Sequence, residues 1–371
     1  MSARSGSRQR LAGVDALRGV AAIAVVLYHF TLRPTSLVPL GFAGVEVFFC
    51  ISGFILAYAY EDALDAGLRA SAYAAQRWVR LYPVYGLGLG FGFATYALNA
   101  AWRGGANPAW SVAVALAKGV FLIPSLQPFV IGEGPYLESA PLFPFDNPAW
   151  SLLVEVACSA VFFVWRPRGG ALIATLTLLG ALLVGVSVDV NGVGGFNQGT
   201  FLLGFPRGLF CFYAGLGLYR LWRAGGLATL PGASPLAAVA LVGLGAFASL
   251  TFASYLTVVF VAAPLLVALA TVEPRPGRAE RACRWLGDIS YPLYLLHVPL
   301  FALARLLATT WGGWPVTEPW PRAASVALAG LALVLAHGVA RAYDAPVRRF
   351  LGSRLAQRAR SASRRDARAA A

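Results

Sequence analysis

The feature that most constrains this chain is a series of eleven apolar runs separated by short, arginine-bearing loops. They cover about 12–31, 41–60, 83–102, 109–130, 148–165, 170–188, 201–222, 235–253, 255–272, 291–311 and 322–342. A helix rises about 1.5 Å per residue, so about 20 apolar residues cross the roughly 30 Å of a bilayer's hydrocarbon. A soluble fold needs a polar coat, typically about 25% charged residues. Here 58% of residues are hydrophobic and 12% charged, too few to make one. The same numbers exclude a disordered chain, a collagen and a disulfide scaffold. The reading is an all-α polytopic membrane protein. It has a single membrane-embedded domain over 1–345 and a basic tail over 346–371, which rests at an anionic membrane face.

The formal charge is +14, and every basic residue but Lys118 is arginine. Basicity alone would suit nucleic acid. The arginines sit in loops between apolar runs, which is the positive-inside arrangement instead, so no nucleic-acid partner is expected. Cys50, Cys158, Cys211 and Cys283 are far apart and form no CxxC pair, so no metal or redox site is expected. The first apolar run carries Asp15 and Arg18 and lacks a small-residue cleavage site, so it reads as retained rather than as a signal peptide.

Charge also sets the topology. Arg4, Arg8 and Arg10 put the N-terminus inside, and the arginines beyond 346 put the C-terminus inside. Two inside termini require an even number of crossings. Walking inward from each end by the same rule, the two walks collide at 109–130, both ends of which must face out. That run holds Lys118 between Pro108 and Pro124. It therefore reads as re-entrant or interfacial, leaving ten crossings in a bacterial cytoplasmic membrane.

Ionisable residues inside a span are costly and usually functional. On the first helix Arg18 and His29 are eleven residues apart, three turns and about 20°, so they share one face. Counting depth from the ends of the apolar runs predicts two polar layers. The outer one holds His29, Glu46, Glu155, Arg207 and Arg305. The inner one holds Asp15, Arg18, His297 and His337, near Arg77 and Arg80. A histidine flanked by carboxylates suits a general base, and arginines at an inner mouth suit a phosphate-bearing ligand. Plainer roles exist for each. His29 also fits as a helix-interface histidine, His337 as a structural or water-facing one, and Glu46 and Glu155 as ion-pair ties to Arg207 and Arg305. Arg77 and Arg80 also fit as topology anchors, and Trp150, Tyr82 and Tyr294 as interface aromatics.

Six segments in order resemble the membrane-bound acyltransferase-3 family. They are GVDALRGVAAIAVVLYHF (13–30), GVEVFFCISGFIL (44–56), RWVRLYP (77–83), PAWSLLVEV (148–156), GDISYPLYLLHVPL (287–300) and YDAPVRRF (343–350). Glu46 stands where that family more usually has Asp, and Asp344 where Glu is common; both keep the charge. The extra extracytoplasmic hydrolase-like domain of some members is not expected here. The resemblance implies transfer of an acyl group, commonly acetyl, from cytoplasmic acyl-CoA to a hydroxyl of a glycan, glycolipid or small hydroxylated acceptor. It implies His29 as base or acyl carrier, Arg18 orienting the donor, and Glu46 or Glu155 setting the protonation of His29. Donor binding falls to Arg77, Arg80, Asp15 and His297, and acceptor binding to Trp150, Ser151, Arg207 and Ser52. Membrane lipids are the remaining partners. A transporter or flippase also buries charge, but no inverted repeat is visible. A purely structural scaffold leaves the buried charges unexplained.

Reporter fusions at Asn107 and Gly134 are expected to report the same, outer side of the membrane. Opposite sides would make 109–130 a crossing and remove one of the others.

Overall fold

The computed structural model describes residues 9–31, 36–130, 141–189, 194–227, 251–315 and 320–369. Among these the regular structure is helical, with no strand. The helices are α1 Ala12–Thr31, α2 Gly44–Asp65, α3 Ala70–Arg103, α4 Ala109–Val120, α5 Ala149–Val164, α6 Gly170–Asp189, α7 Gly204–Arg223, α8 Phe252–Thr257, α9 Ala263–Ala270, α10 Arg278–Thr310, α11 Arg322–Val339 and α12 Ala345–Ala369. π-Helical turns at Val258–Ala262 and Ala340–Asp344 join α8 to α9 and α11 to α12.

Among the described residues, seven helical stretches are long and apolar enough to cross a membrane: those built on α1, α2, α6, α7, α8–α9, α10 and α11–α12. The chain is an all-α, multi-pass membrane protein. The expected span at 83–102 lies within α3, which is long but more polar. The one at 148–165 is the 16-residue α5, and the one at 235–253 lies almost wholly outside the described residues. Segment 109–130 forms the 12-residue α4 and then leaves helical conformation. Twelve residues rise about 18 Å, short of the hydrocarbon thickness, so α4 does not cross as a helix.

α1 lies at the centre of the bundle, packed between α2, α10 and α11. By contrast α6 is turned outward, with only 17% of its apolar window buried and Ile173 and Leu178 exposed. An exposed apolar face of that kind suits contact with lipid. Proline sits inside α3 at Pro83 and inside α10 at Pro292 and Pro299 without ending either helix. Neighbouring helices commonly make such prolines tolerable in membrane spans.

Small residues set the closest approaches, as expected where lipid gives helices no hydrophobic reason to associate. A Cβ on Gly53 of α2 would lie 1.8 Å from the carbonyl oxygen of Phe212 on α7, and one on Gly215 of α7 would lie 2.0 Å from that of Cys50. The backbones of α2 and α7 therefore touch. Gly53→Val must force them apart, at the usual overpacking cost of about 1–3 kcal/mol. We expect a lower thermal midpoint in detergent; an unchanged midpoint would show that this crossing is not a tight one.

Candidate functional site

The site is built on α1 and α10. A Cβ on Gly19 would fall 2.5 Å from Leu286 Cβ, and one on Gly287 would fall 2.5 Å from Asp15 Cβ, so the two helices cross at contact. The crossing carries a polar knot. Arg18 Nε donates to Ser290 Oγ at 2.9 Å, and its Nη2 donates to Asp15 Oδ1 and to the Gly287 carbonyl at 3.0 Å each. Arg10 closes Asp15 from below and reaches Asp288 at 2.8 Å. Beneath the knot, Glu273 caps α1 by accepting from the Ala12 N–H at 3.0 Å. Burial raises that carboxyl above its ordinary range.

Above and beside the knot is a cavity of about 440 Å³, whose wall takes residues from α1, α2, α3, α5, α10 and the α11–α12 turn. Of the expected site residues it exposes Asp15, Arg18, Ser52, Arg77, Arg80, Ser151 and Glu155. Most of its charges are already paired. Arg77 Nη2 binds Glu155 Oε1 at 2.6 Å, and Ser52 Oγ donates to the same oxygen at 3.1 Å. Arg348 binds Asp344 at 2.8 Å. Arg80 differs: among the described residues it has no hydrogen-bond or ion-pair partner, and its exposed surface faces the cavity. The cavity thus presents one uncommitted cation within a field of arginines, an arrangement that attracts an anion.

The upper wall is Tyr294 and Ser151. Ser151 Oγ donates to the Pro148 carbonyl at 3.0 Å, so it accepts from Tyr294 O–H at 2.7 Å. The Tyr294 ring packs on the His297 ring at 5.8 Å, and His297 packs on His29 at 4.9 Å. A continuous column of side chains therefore leads from the arginine cavity to His29.

Two depths differ from the expectation. The sequence predicts His297 in the inner layer, but it stands beside His29, with 3.3 Å between ring nitrogens. The reason is that α10 starts at Arg278, well before the apolar run at 291, so a count from that run sets His297 too low. His297 is also seven residues, about 10 Å, beyond the Ser290 that binds Arg18. Glu155 was placed level with His29, but it meets Arg77. The segment before α5 is buried, with Asp146 fully enclosed. A Cβ on Gly92 of α3 would lie 1.5 Å from the Phe145 carbonyl oxygen, so α5 begins halfway along α3 rather than at its outer end.

Glu46 and Arg207 are fully enclosed as a pair between α2 and α7. Arg207 Nε donates to Glu46 Oε1 at 2.8 Å, Tyr255 O–H donates to the same oxygen at 3.1 Å, and Arg207 lies over the Trp150 ring at 5.1 Å. The hydrogen bonds of Glu46 among the described residues thus run to Arg207 and Tyr255, the helix-tying arrangement. Trp150 belongs to that cluster and not to the cavity wall. The expected inner-layer His337 accepts from Trp285 Nε1 at 3.0 Å.

Ser290, Tyr294 and the Asp344–Arg348 pair belong to the site beyond the residues the sequence predicts for it. A signal existed for the first two. Gly287, Ser290, Tyr294 and His297 recur at helical spacing along one stripe of α10.

With this geometry in hand, the comparisons are direct. The acyltransferase-3 family model, described as an acyltransferase domain, matches residues 11–339. The chain belongs to that family, and the protein is a membrane-embedded acyltransferase. It is 30% identical over 174 residues to "Protein 2 in picA locus" of Rhizobium radiobacter, covering 43% of this chain and 84% of that protein. It is 27% identical over 275 residues to the exopolysaccharide production protein ExoZ of Rhizobium meliloti, covering 73% and 77%. It is 23% identical over 342 residues to the peptidoglycan O-acetyltransferase OatA of Listeria monocytogenes, covering 80% of this chain and 50% of that protein. No solved structure matches the chain.

The different commitments of the two arginines are testable. Arg77→Ala removes the ion pair of Glu155, leaving it the Ser52 hydroxyl, and is expected to cost about 1.5–3 kcal/mol, the usual worth of a hydrogen bond to a charged group. Arg80→Ala removes no pair. Thermal midpoints in detergent should fall for the first and hold for the second; equal falls would mean that Arg80 is also structural.

Proposed function

We propose that the protein is an O-acyltransferase that moves an acyl group, acetyl as the named activity of OatA suggests, from cytoplasmic acyl-CoA to a hydroxyl of a glycan or glycolipid at the outer face. It resides in the bacterial cytoplasmic membrane with both termini inside, and α12 lies as a basic segment against the inner leaflet. The observation that carries this reading is the arginine cavity joined through Tyr294 to His29. A thioester donor needs a polyanion site and, an arm's length away, a base. Arg18, on the cavity wall, and His29 stand on one face of α1. The roles named for OatA and ExoZ, in peptidoglycan O-acetylation and exopolysaccharide production, support a glycan acceptor.

In this reading Arg80 receives a donor phosphate, and Arg18, held by Asp15 and Ser290, orients the donor arm. At the far end His29 Nε2 takes the proton of the acceptor hydroxyl as its oxygen bonds to the thioester carbonyl carbon. The carbon–sulfur bond then breaks and the proton passes from Nε2 to the leaving thiolate. Ester and free thiol are the products, and the enzyme is unchanged.

Transfer of label from acetyl-CoA into glycan, measured per membrane-inserted molecule, tests the assignment. His29→Ala should lose about 10²- to 10⁴-fold, the usual cost of a general base. Arg80→Ala should raise the KM for acetyl-CoA about tenfold or more, the loss of one charge-assisted hydrogen bond. More than about a tenth of the activity surviving in His29→Ala would refute the base, and an unchanged KM would refute the phosphate contact.

A further inference from the structure

The two histidine rings in the middle of the bundle are hydrogen-bonded in a way that fixes their protons. His29 Nδ1 stands 2.9 Å from the Val25 carbonyl oxygen, four residues back on its own helix. A carbonyl oxygen only accepts, so the proton of the neutral ring is on Nδ1 and the lone pair is on Nε2. His297 Nδ1 stands 2.5 Å from the Tyr294 carbonyl oxygen, three residues back on α10, and by the same argument carries its proton there. His297 Nε2 is then an acceptor, and it faces His29 Nδ1 at 3.3 Å. The His29 Nδ1–H is therefore shared between two acceptors, one from its own helix and one from α10.

We propose that His297 is a positioning residue for the acyl transfer: its Nε2 accepts from His29 Nδ1–H, holds the reactive ring in the tautomer with its lone pair on Nε2, and supports the imidazolium formed when Nε2 takes the acceptor's proton. This rests on the reading of His29 as the proton-accepting residue. It assigns His297 a task other than donor binding, and it gives the α1–α10 crossing a chemical purpose. A base in a water-poor bundle needs its other ring nitrogen bound to an acceptor, or the charge it takes up has nowhere to spread. Enzymes commonly use a carboxylate there. Here the imidazole Nε2 of His297 stands at that nitrogen, and Glu46 is bound to Arg207 and Tyr255.

The other side chains around the pair fit a holding function. Phe30 packs on His297 at 6.2 Å between ring centroids, and Tyr28 packs edge-on to His29 at 5.1 Å. Tyr294 packs on His297 from the cavity side at 5.8 Å. His297 itself is 1% exposed. Its ring is fixed by packing and by the Tyr294 carbonyl, so Nε2 is presented in one direction.

The chain contains 3 histidines, which makes a direct measurement practical. Protein labelled with ¹⁵N-histidine and reconstituted in liposomes should show His29 and His297 as the Nδ1–H tautomer with bare Nε2. The two signals are assigned by their loss in His29→Ala and in His297→Gln. Finding His297 with its proton on Nε2 would overturn the proposal, because it could not then accept from His29. The kinetic arm uses inverted membrane vesicles holding the cell's own acceptor, with labelled acetyl-CoA as the probe. His297→Leu should lower kcat about tenfold or more, yet less than the about 10²- to 10⁴-fold expected of His29→Ala, with KM for acetyl-CoA unchanged. His297→Gln, whose side-chain carbonyl can accept in the place of Nε2, should recover most of that loss. If Gln and Leu are equally impaired, or if KM rather than kcat moves, the positioning role is refuted. Should the Leu variant fail to insert, the wild-type tautomers and the Gln variant still decide. An active His29→Ala would sink the function proposed above, whereas a dead His29→Ala with the wrong His297 tautomer would sink only this inference.

Discussion

The contact on which the site depends is the crossing of α1 and α10 at Gly19 and Gly287. Any side chain at either position would collide with the other helix. Because the backbones touch there, the Arg18 guanidinium reaches both Ser290 and the Gly287 carbonyl, and three turns further along the same two helices bring His29 against His297. One close approach thus sets both ends of the site. Helices separated by an ordinary side-chain layer would leave the half-buried Arg18 without its α10 partners and His29 without the His297 acceptor. In a low-dielectric interior either loss is costly.

Around that crossing, charge is distributed by commitment. Glu46 holds Arg207, Glu155 holds Arg77, Glu61 holds Arg220 and Asp344 holds Arg348. A buried ion pair adds little net stability over an apolar pair, but it tolerates no missing partner. The first three pairs, each joining two helices, therefore specify which helix faces which, whereas Asp344–Arg348 lies within one helical stretch. Against this background Arg80 stands out: among the described residues no carboxylate forms an ion pair with it, although Glu155, Asp15 and Asp344 lie within its field. The π-helical turn at Ala340–Asp344 brings Asp344 and Arg348 to the same cavity wall, in keeping with the tendency of such turns to occur at functional positions.

Much of this was legible beforehand. The shared face of Arg18 and His29 follows from eleven residues of helix, a local regularity that packing cannot alter. The order of the six motifs carried the family, and the RWVRLYP segment supplied Arg77 and Arg80, two of the five arginines that line the cavity. What was misread was depth. Counting inward from the ends of apolar runs assumes that every helix begins at a membrane surface. α5 does not, because Phe143, Phe145 and Asp146 are themselves buried ahead of it, so Glu155 reaches Arg77 instead of the level of His29. α10 starts well before its apolar run, so His297 rises to meet His29.

By itself, then, the sequence determined the solvent this protein lives in, the presence of its helices and the arrangement of groups along each one. Those properties depend on composition and on helical periodicity, which act over a few turns. The tertiary structure alone decided which carboxylate belongs to which arginine, which of them was left open, and that the second histidine stands beside the first. Those pairings join residues as far apart as His29 and His297. They depend on the lateral and vertical register of separate helices, which is set where glycines let two backbones touch.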